Sequence, residues 1–419
     1  MPYFIIMQDI ELYHQILGLQ APWRVQRVEL NLAEQTVLIF VAYEAQQTTW
    51  ACPECQRLAP LYDHRAPRQW RHLDSCQLQT FLVASLPRVA CPQHGVQTVN
   101  APWSQPHSRF THLFERFALD VLRAAKVQSQ AAHLLRLSAG QLHDLMHRAV
   151  GRGLSRRDHE QARPYVSLDE KSFQKGHQYV TVLSDPGTKC VLDVVAGRDL
   201  AAIESLLQTA LTAKQRQQVR SVSMDMWPTF DSARATLLPQ ADTVHDRFHV
   251  VQYLNAAVDL TRKAEHKALT QQKETTLARS KYLWLRSPET MTDKQKLAFA
   301  ALSGLEFETA KVWVFKENFR QFFACHTQYG ARTFFTRWYE AALVLANPHL
   351  TKVADMLKRH LGGLLAYVRH RVSNGSAEGL NSQVQLIKAN ARGFRQFANF
   401  RVAILFFLGK LDLYPHENP

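Results

Sequence analysis

Residues 165–198 read YVSLDEKSFQKGHQYVTVLSDPGTKCVLDVVAGR, and their apolar positions recur with the period of two that is typical of β-strands. The pattern predicts a strand that ends at Asp169, followed by a hairpin around a turn at Asp185 to Thr188. Asp199 is predicted to cap a helix that runs to about Leu211. Helical spacing then alternates with two short strand patterns, and the first of these, Val219 to Met224, ends at Asp225. We therefore expect an α/β layer in this part of the chain.

Three antiparallel strands followed by helix, strand, helix and strand are the order of the RNase H-like fold, and the remaining chain divides around this core. Alternation at residues 24–44 predicts an opening β-hairpin, and Leu137 to Gly140, with Ser138 as an N-cap, predicts a helix-turn-helix. Ordinary packing of two helices, with no role in DNA binding, would explain the same spacing. We expect a multidomain α+β chain with a β-hairpin and zinc-binding domain (1–104), a helix-turn-helix domain (105–160), an RNase H-like core (161–254 and 371–419) and an all-helical insertion (255–370).

The composition favours a globular protein that binds nucleic acid. Lys and Arg number 50 against 36 Asp and Glu, so the formal charge is +14, which favours a polyanionic partner. Apolar residues make up 46% of the chain, which excludes disordered and collagen-like classes. The longest apolar run, Val402 to Leu408, is far shorter than the ~20 residues of a membrane span. The N-terminus also lacks a signal-like basic region, so we expect a cytoplasmic protein without a membrane partner.

Two pairs of metal-binding residues have the spacing of zinc knuckles. Cys52 and Cys55 form one pair and Cys91 and His94 the other, each with two intervening residues. Cysteines in a cytoplasmic chain are more often metal ligands than disulfides, so we expect one structural Zn²⁺. Simple buried thiols are the alternative, and the segment between the pairs also contains three spare donors, His64, His72 and Cys76.

Three carboxylates are candidates for a second metal site. Asp169 and Asp225 end strands that are adjacent in an RNase H-like sheet, although such acids are also common turn formers and caps. Glu378 is the single acid among nine basic residues from 358 to 410, which suits a site where cations and DNA phosphates meet. An acid near a helix N-terminus is the alternative explanation for Glu378. Asp246 is the best substitute if one acid is wrongly assigned.

DNA contacts are expected from two places. The second helix of the helix-turn-helix would present Gln141, His147 and Arg148 to a major groove, with Asp144 beside them. In the basic C-terminal stretch, side chains around Glu378 would meet phosphates; these are Lys388, Arg392 and Arg395.

Several long blocks, in order, resemble one family. They are residues 168–198, SMDMWPTF at 223–230, HDRFHVVQYLN at 245–255 and SNGSAEGLNSQVQLIKANARGF at 373–394. The chain resembles the ISL-three family of bacterial insertion-sequence transposases, which are DDE-type enzymes, over nearly its whole length. One departure is His94, where the family typically has Cys.

The resemblance implies a catalytic triad of Asp169, Asp225 and Glu378 that binds two Mg²⁺ ions, with Mn²⁺ as an alternative. It implies recognition of terminal inverted repeats by the N-terminal domains, cleavage at the element's ends and transfer of the 3′-hydroxyl to target DNA. Holding two ends together requires a homodimer on double-stranded DNA. A DNA-binding regulator without catalysis and a nuclease such as a resolvase are the competing classes.

Overall fold

The computed structural model describes residues 9–174, 178–245, 247–372 and 375–415, with the backbone alone at 375–377. The chain forms two compact units, of which the first runs to Arg156 and includes the segment from Leu411, and the second is Arg157–Lys410. The architecture is mixed α+β, with a β-rich N-terminal region and a largely helical C-terminal part. Within the described ranges, no helix has the length and apolar character needed to cross a bilayer.

The first unit begins with α1 (Asp9–Ile16) and continues with two small sheets. Its strands are β1 (Trp23–Asn31), β2 (Thr36–Tyr43), β3 (Thr49–Ala51), β4 (Leu58–His64), β5 (Arg68–Arg71), β6 (Gln79–Ala84), β7 (Pro87–Cys91) and β8 (Gly95–Thr98). The order is β1-β2-β6-β5 in one sheet and β3-β4-β7-β8 in the other. β1 and β2 pair antiparallel, which confirms the predicted opening hairpin.

An aromatic cluster forms the core of these two sheets. Trp23 and Trp103 meet edge to face with ring centroids 5.1 Å apart, and Trp103 meets Trp70 in the same way at 5.4 Å. Each such side chain buries on the order of 150–250 Å². The N-terminal region therefore has a hydrophobic core of its own, in addition to any metal.

Three helices follow, and side chains cap the first and the third of them. They are α2 (His112–Ala125), α3 (Gln128–Leu135) and α4 (Ala139–Ser155). Ser138 caps α4 in a capping box with Gln141, because each side chain accepts from the other's backbone N–H. The cap predicted at Ser138 is confirmed, and the turn between α3 and α4 is three residues long.

The C-terminal segment packs on α4 within the first unit. Arg152 lies 2.8 Å from the buried Glu115 carboxylate and donates from Nε to the Leu413 carbonyl at 2.9 Å. A side chain at Gly153 would lie within 3.2 Å of Leu411 and Leu413, so only glycine leaves room for this segment.

The second unit is built on a five-stranded sheet within the described residues. Its strands are β9 (Tyr165–Gln174), β10 (Gln178–Asp185), β11 (Cys190–Ala196), β12 (Ser221–Met224) and β13 (Asp242–His245), in the order β11-β10-β9-β12-β13. β10 is antiparallel to β9 and β11, whereas β12 is parallel to β9 and β13. The crossovers contain α5 (Leu200–Ala210), α6 (Ala213–Gln218) and α7 (Pro228–Leu237). Asp199 caps α5, as predicted.

The strand predicted to end at Asp169 continues to Gln174, so that prediction was wrong at its C-terminal end. Lys171 and Ser172 pair with β10, and this pairing extends the strand although its residues are polar. Asp169 therefore lies within a strand, and Glu170 projects to the opposite face.

A helical block follows β13. It contains α8 (Arg247–Gln271), α9 (Lys281–Leu285), a 3₁₀ turn (Pro288–Thr290), α10 (Asp293–Ser303), α11 (Glu308–Ala324), α12 (Gln328–Leu345), α13 (Pro348–Arg359) and α14 (Leu361–His370). Trp284 and Trp338 are buried in its core. The last helices of the unit are α15 (Gly375–Asn390) and α16 (Phe397–Leu408), and α15 packs on β9.

Candidate active site and metal centre

The four predicted zinc ligands converge in the first unit. The ligand atoms of Cys52, Cys55, Cys91 and His94 all lie within 4.8 Å of one another. The Cys55 and Cys91 sulfurs are 3.7 Å apart, and the Cys91 sulfur is 3.6 Å from His94 Nδ1. Tetrahedral Zn²⁺ with usual bond lengths requires about 3.8 Å between sulfurs and about 3.6 Å between sulfur and nitrogen. The donor set therefore fits a closed zinc site.

Tight backbone turns position both knuckles. The Gln56 N–H donates to the Cys52 carbonyl at 2.8 Å, and Gly95 has a φ of +69° immediately after His94. Backbone N–H groups of Gln93 and His94 lower the pKa of Cys91 to about 6, which favours the thiolate that metals bind.

The spare donors lie elsewhere. His64 hydrogen-bonds to the Tyr43 hydroxyl, His72 Nδ1 lies 2.9 Å from Thr111 Oγ1, and Cys76 is exposed. Among the described residues, the Cys52, Cys55, Cys91 and His94 group is the one cluster of such side chains positioned to hold an ion.

Asp169 and Asp225 occupy equivalent register positions relative to β9 and β12, which are adjacent parallel strands of the second unit. The last pair between β9 and β12 is Ser167 with Ser223, and each aspartate lies two residues further along the chain, Asp169 within β9 and Asp225 just after β12. Neighbouring strands are about 4.8 Å apart, so the register brings the two acids to the same edge of the sheet.

Each aspartate is held by neighbouring donors. Lys171 Nζ lies 3.2 Å from Asp169 Oδ2, and the Asn381 amide on α15 donates to the same oxygen. His249 Nδ1 is 4.0 Å from Asp225 Oδ1. The Tyr253 hydroxyl also donates to Asp225; burial, together with that carboxylate's charge, raises the pKa of Tyr253.

Glu378 is half-buried in the first turn of α15. Asn381 lies three residues further on and so shares its face of the helix. The same helix contacts β9 again at its other end, where Lys388 donates to the Ser172 carbonyl at 3.0 Å. Asp246, the substitute acid, lies outside the described residues.

The predicted DNA-contact residues differ in their surroundings. His147 is exposed on α4, and the Gln141 amide belongs to the capping box. Arg148 is half-buried, with Nη2 3.8 Å from the buried carboxylate of Glu115. In the second unit Arg392 and Arg395 are exposed.

Sequence reasoning did not single out Tyr253 or Arg198, and it placed Asn381 only on the helix face of Glu378, which could look onto the aspartate pair. His249 and Tyr253 are four residues apart on α8, and this spacing indicates that they share a face of the helix. Both side chains approach Asp225. Asn381 shares a helix face with Glu378, but its contact with Asp169 joins residues 212 positions apart. No local pattern encodes such a contact.

His245, at the end of β13 beside Met224, is buried and packs against α14. Burial, together with the charge of His360, lowers the pKa of His245 to about 4, so the ring is neutral near pH 7. It therefore packs as a neutral aromatic ring and supplies no charge for phosphate.

Replacing Gly363 by alanine is expected to lower the free energy of unfolding by about 1–3 kcal/mol, because overpacking a core costs this much. A β-carbon there would lie within 3.0 Å of three His245 ring atoms. Gly362→Ala in the same helix is the matched control, since a β-carbon there meets nothing within 4 Å. It should leave stability unchanged or raise it by up to about 1 kcal/mol. Equal urea-unfolding curves for both variants would contradict the packing argument.

Comparison with known proteins matches two segments of this chain. A family model described as "Transposase", of the ISL3 type of DDE transposases, matches residues 166–404. A second model, described as "zinc-finger of transposase IS204/IS1001/IS1096/IS1165", matches residues 48–94. The two matched segments contain the paired aspartates and the Cys52 to His94 cluster, respectively.

Full-length relatives are similar along the whole chain. The transposase for insertion sequence element IS1557 of Mycobacterium tuberculosis is 26% identical over 443 aligned residues, covering 99% of each chain. The transposase for insertion sequence element IS1001 of Bordetella parapertussis is 25% identical over 403, covering 95% of this chain and 98% of the relative. Because the first family model spans more than half of the sequence, this chain belongs to the ISL-three family of insertion-sequence transposases.

Proposed function

We propose that this transposase cuts DNA at the ends of its insertion sequence and joins the resulting 3′-hydroxyls to target DNA, using Asp169, Asp225 and Glu378 as one site. The register of β9 and β12 supports this most, because it brings two acids from separate strands to one edge of the sheet. The strand order β11-β10-β9-β12-β13 is also that of an RNase H-like core. In this proposal residues 161–254 and 371–410 contribute the core, and 255–370 are an insertion.

The three carboxylates suit two Mg²⁺ ions, or Mn²⁺, because hard divalent cations prefer carboxylate oxygens. When bound, such ions supply activation of the attacking oxygen and neutralisation of charge at the phosphate. The chain's own residues orient the acids: Asn381 and Lys171 fix Asp169, while Tyr253 and His249 flank Asp225. Glu378, on the helix face shared with Asn381, completes the set in this proposal.

Recognition of the terminal inverted repeats is assigned to the first unit in this proposal. Its zinc-ribbon region and the α3–α4 pair resemble DNA-binding modules, and His147 and Gln141 lie on the second helix of that pair. Arg148 would contribute by fixing α4 against Glu115, since its guanidinium faces that carboxylate. Two ends must be held together, so a homodimer on double-stranded DNA in the cytoplasm is expected.

The test is incubation of the full chain with DNA carrying the inverted repeats that flank its gene, with Mg²⁺ or with EDTA. Nicking at the repeat ends and joined target products, both dependent on the cation, are expected. Nicking without joining would favour a nuclease. Binding without any divalent-dependent nicking would favour a DNA-binding regulator and overturn the proposal.

Affinity for repeat DNA should fall steeply with salt, because phosphate contacts release counterions with a slope of about −0.9 per contact. Removing both Arg392 and Arg395 should reduce the slope of log affinity against log salt by about 1.8. The control removes two exposed lysines of α10, Lys294 and Lys296, and should leave the slope unchanged. Equal slopes for the arginine variant and the wild type would exclude these two arginines as phosphate contacts.

A further inference from the structure

Trp227 is exposed next to the paired aspartates. It lies two residues after Asp225, and 44% of its surface is accessible, whereas Trp70 and Trp284 are fully buried. Among the described residues, Trp227 is the one tryptophan with an exposed side chain. A large aromatic surface facing solvent beside a candidate active site is a candidate contact for a ligand.

A stacked cation fixes the indole in place. The Arg198 guanidinium carbon lies 5.2 Å from the centre of the Trp227 ring and 4.2 Å from that of Tyr179. The same guanidinium lies 3.1 Å from the Glu170 carboxylate. Glu170 directly follows Asp169 on β9 and projects to the opposite face of the sheet. The ion pair therefore anchors the indole to the strand that carries the first aspartate, on the other face of that strand. Pro228 begins α7 immediately after Trp227 and restricts its backbone. This rigidity lowers the entropy lost when a ligand binds.

The two acids are recessed compared with the indole. The Asp169 side chain is 14% exposed and that of Asp225 is 31% exposed. A regular duplex is a stiff cylinder whose paired bases hold the backbone on its outer surface. Bringing a phosphate to recessed acids is therefore easier if a neighbouring nucleotide leaves the stack, and an aromatic platform offsets part of that cost.

We propose that Trp227 stacks on a DNA base that is unpaired next to the scissile phosphate, with Arg198 holding the indole in position. The ligand is a nucleobase of any type, since every base has a π-face. This inference rests on the proposed function and adds a binding site to it. It assigns Trp227 to substrate distortion, while the acids remain assigned to cleavage.

The experiment compares nicking by the wild type, Trp227→Ala and Trp227→Phe on paired repeat-end DNA. One base–aromatic stack is worth about 1–3 kcal/mol, so the alanine variant should nick about fivefold to 140-fold more slowly. Phenylalanine should restore most of the rate. The same proteins are then tested on DNAs with a single abasic nucleotide, moved stepwise through the positions that flank the cut. At one position the ratio of wild-type to alanine rates should collapse to about one, because the base that the indole contacts is gone.

The other possible outcomes contradict the stacking proposal. A rate ratio that stays constant at every abasic position would show a merely structural role and overturn the stacking proposal. An alanine variant as active as the wild type on paired DNA would overturn it too. If the wild type nicks none of these DNAs with a divalent cation, the proposed function itself fails, and the inference fails with it.

Discussion

Asp225→Ala is expected to abolish divalent-dependent nicking of terminal-repeat DNA and to leave binding of that DNA unchanged. Loss of a group that merely supports a metal ligand costs about 10–100-fold, so loss of a proposed ligand should cost at least about 100-fold. The variant should still fold, because Asp225 is only partly buried and follows the end of β12. Its strand neighbours Val222 and Met224 supply the packing there.

Rates of strand nicking and gel-shift affinities, measured on the same repeat DNA, check this result. Asp293→Ala is the control, because Asp293 is an almost fully exposed acid on α10. It should nick at the wild-type rate. An Asp225→Ala protein that retains nicking within a few-fold of the wild type would remove Asp225 from the proposed site.

Cys91→Ser is expected to remove the bound zinc and unfold the sheet that holds it. Purified wild-type chain should contain about one zinc per chain and the variant close to none. Structural zinc contributes on the order of 10 kcal/mol in small zinc domains, well above the about 1 kcal/mol of a typical substitution. Trp50 of β3 and Val89 of β7 belong to the same core as Trp23, Trp70 and Trp103. The loss should therefore be largest in β3, β4, β7 and β8, next to the metal ligands, and smaller in the other sheet.

Metal analysis and hydrogen exchange across residues 49–98 measure this effect. The exchange of β3, β4, β7 and β8 should accelerate, and repeat binding should weaken with it. Cys76→Ser is the matched control, since Cys76 is exposed and lies outside the four-ligand cluster. A folded wild-type sample without zinc would refute the metal assignment.

Local patterns predicted much of the fold. Alternation located the β1–β2 hairpin, the capping preference of Ser138 located the start of α4, and Asp199 marked the start of α5. The convergence of Cys52, Cys55, Cys91 and His94 was predictable because knuckle spacing is a local feature. These successes share one cause, which is that each signal lies within a few residues of the structure it specifies.

Features that depend on distant partners could not be predicted. β9 extends to Gln174 because β10 pairs with its polar end, and no apolar alternation marks that extension. Arg148 faces Glu115, a residue on another helix, so its place on a helix wheel did not reveal its surroundings. The sequence analysis assigned all of 371–419 to the RNase H-like core, whereas the segment from Leu411 belongs to the first unit. In each case the deciding contact joins separate segments.

The first unit can be completed only late in translation, because it includes the segment from Leu411. Arg152 donates to the Leu413 carbonyl, and Gly153 leaves the space that Leu411 fills. The ribosome therefore synthesises this segment of the first unit only after all of Arg157–Lys410 has been made. Chains cut short by a late stop codon or a frameshift would have the complete sequence of the second unit but an incomplete first unit.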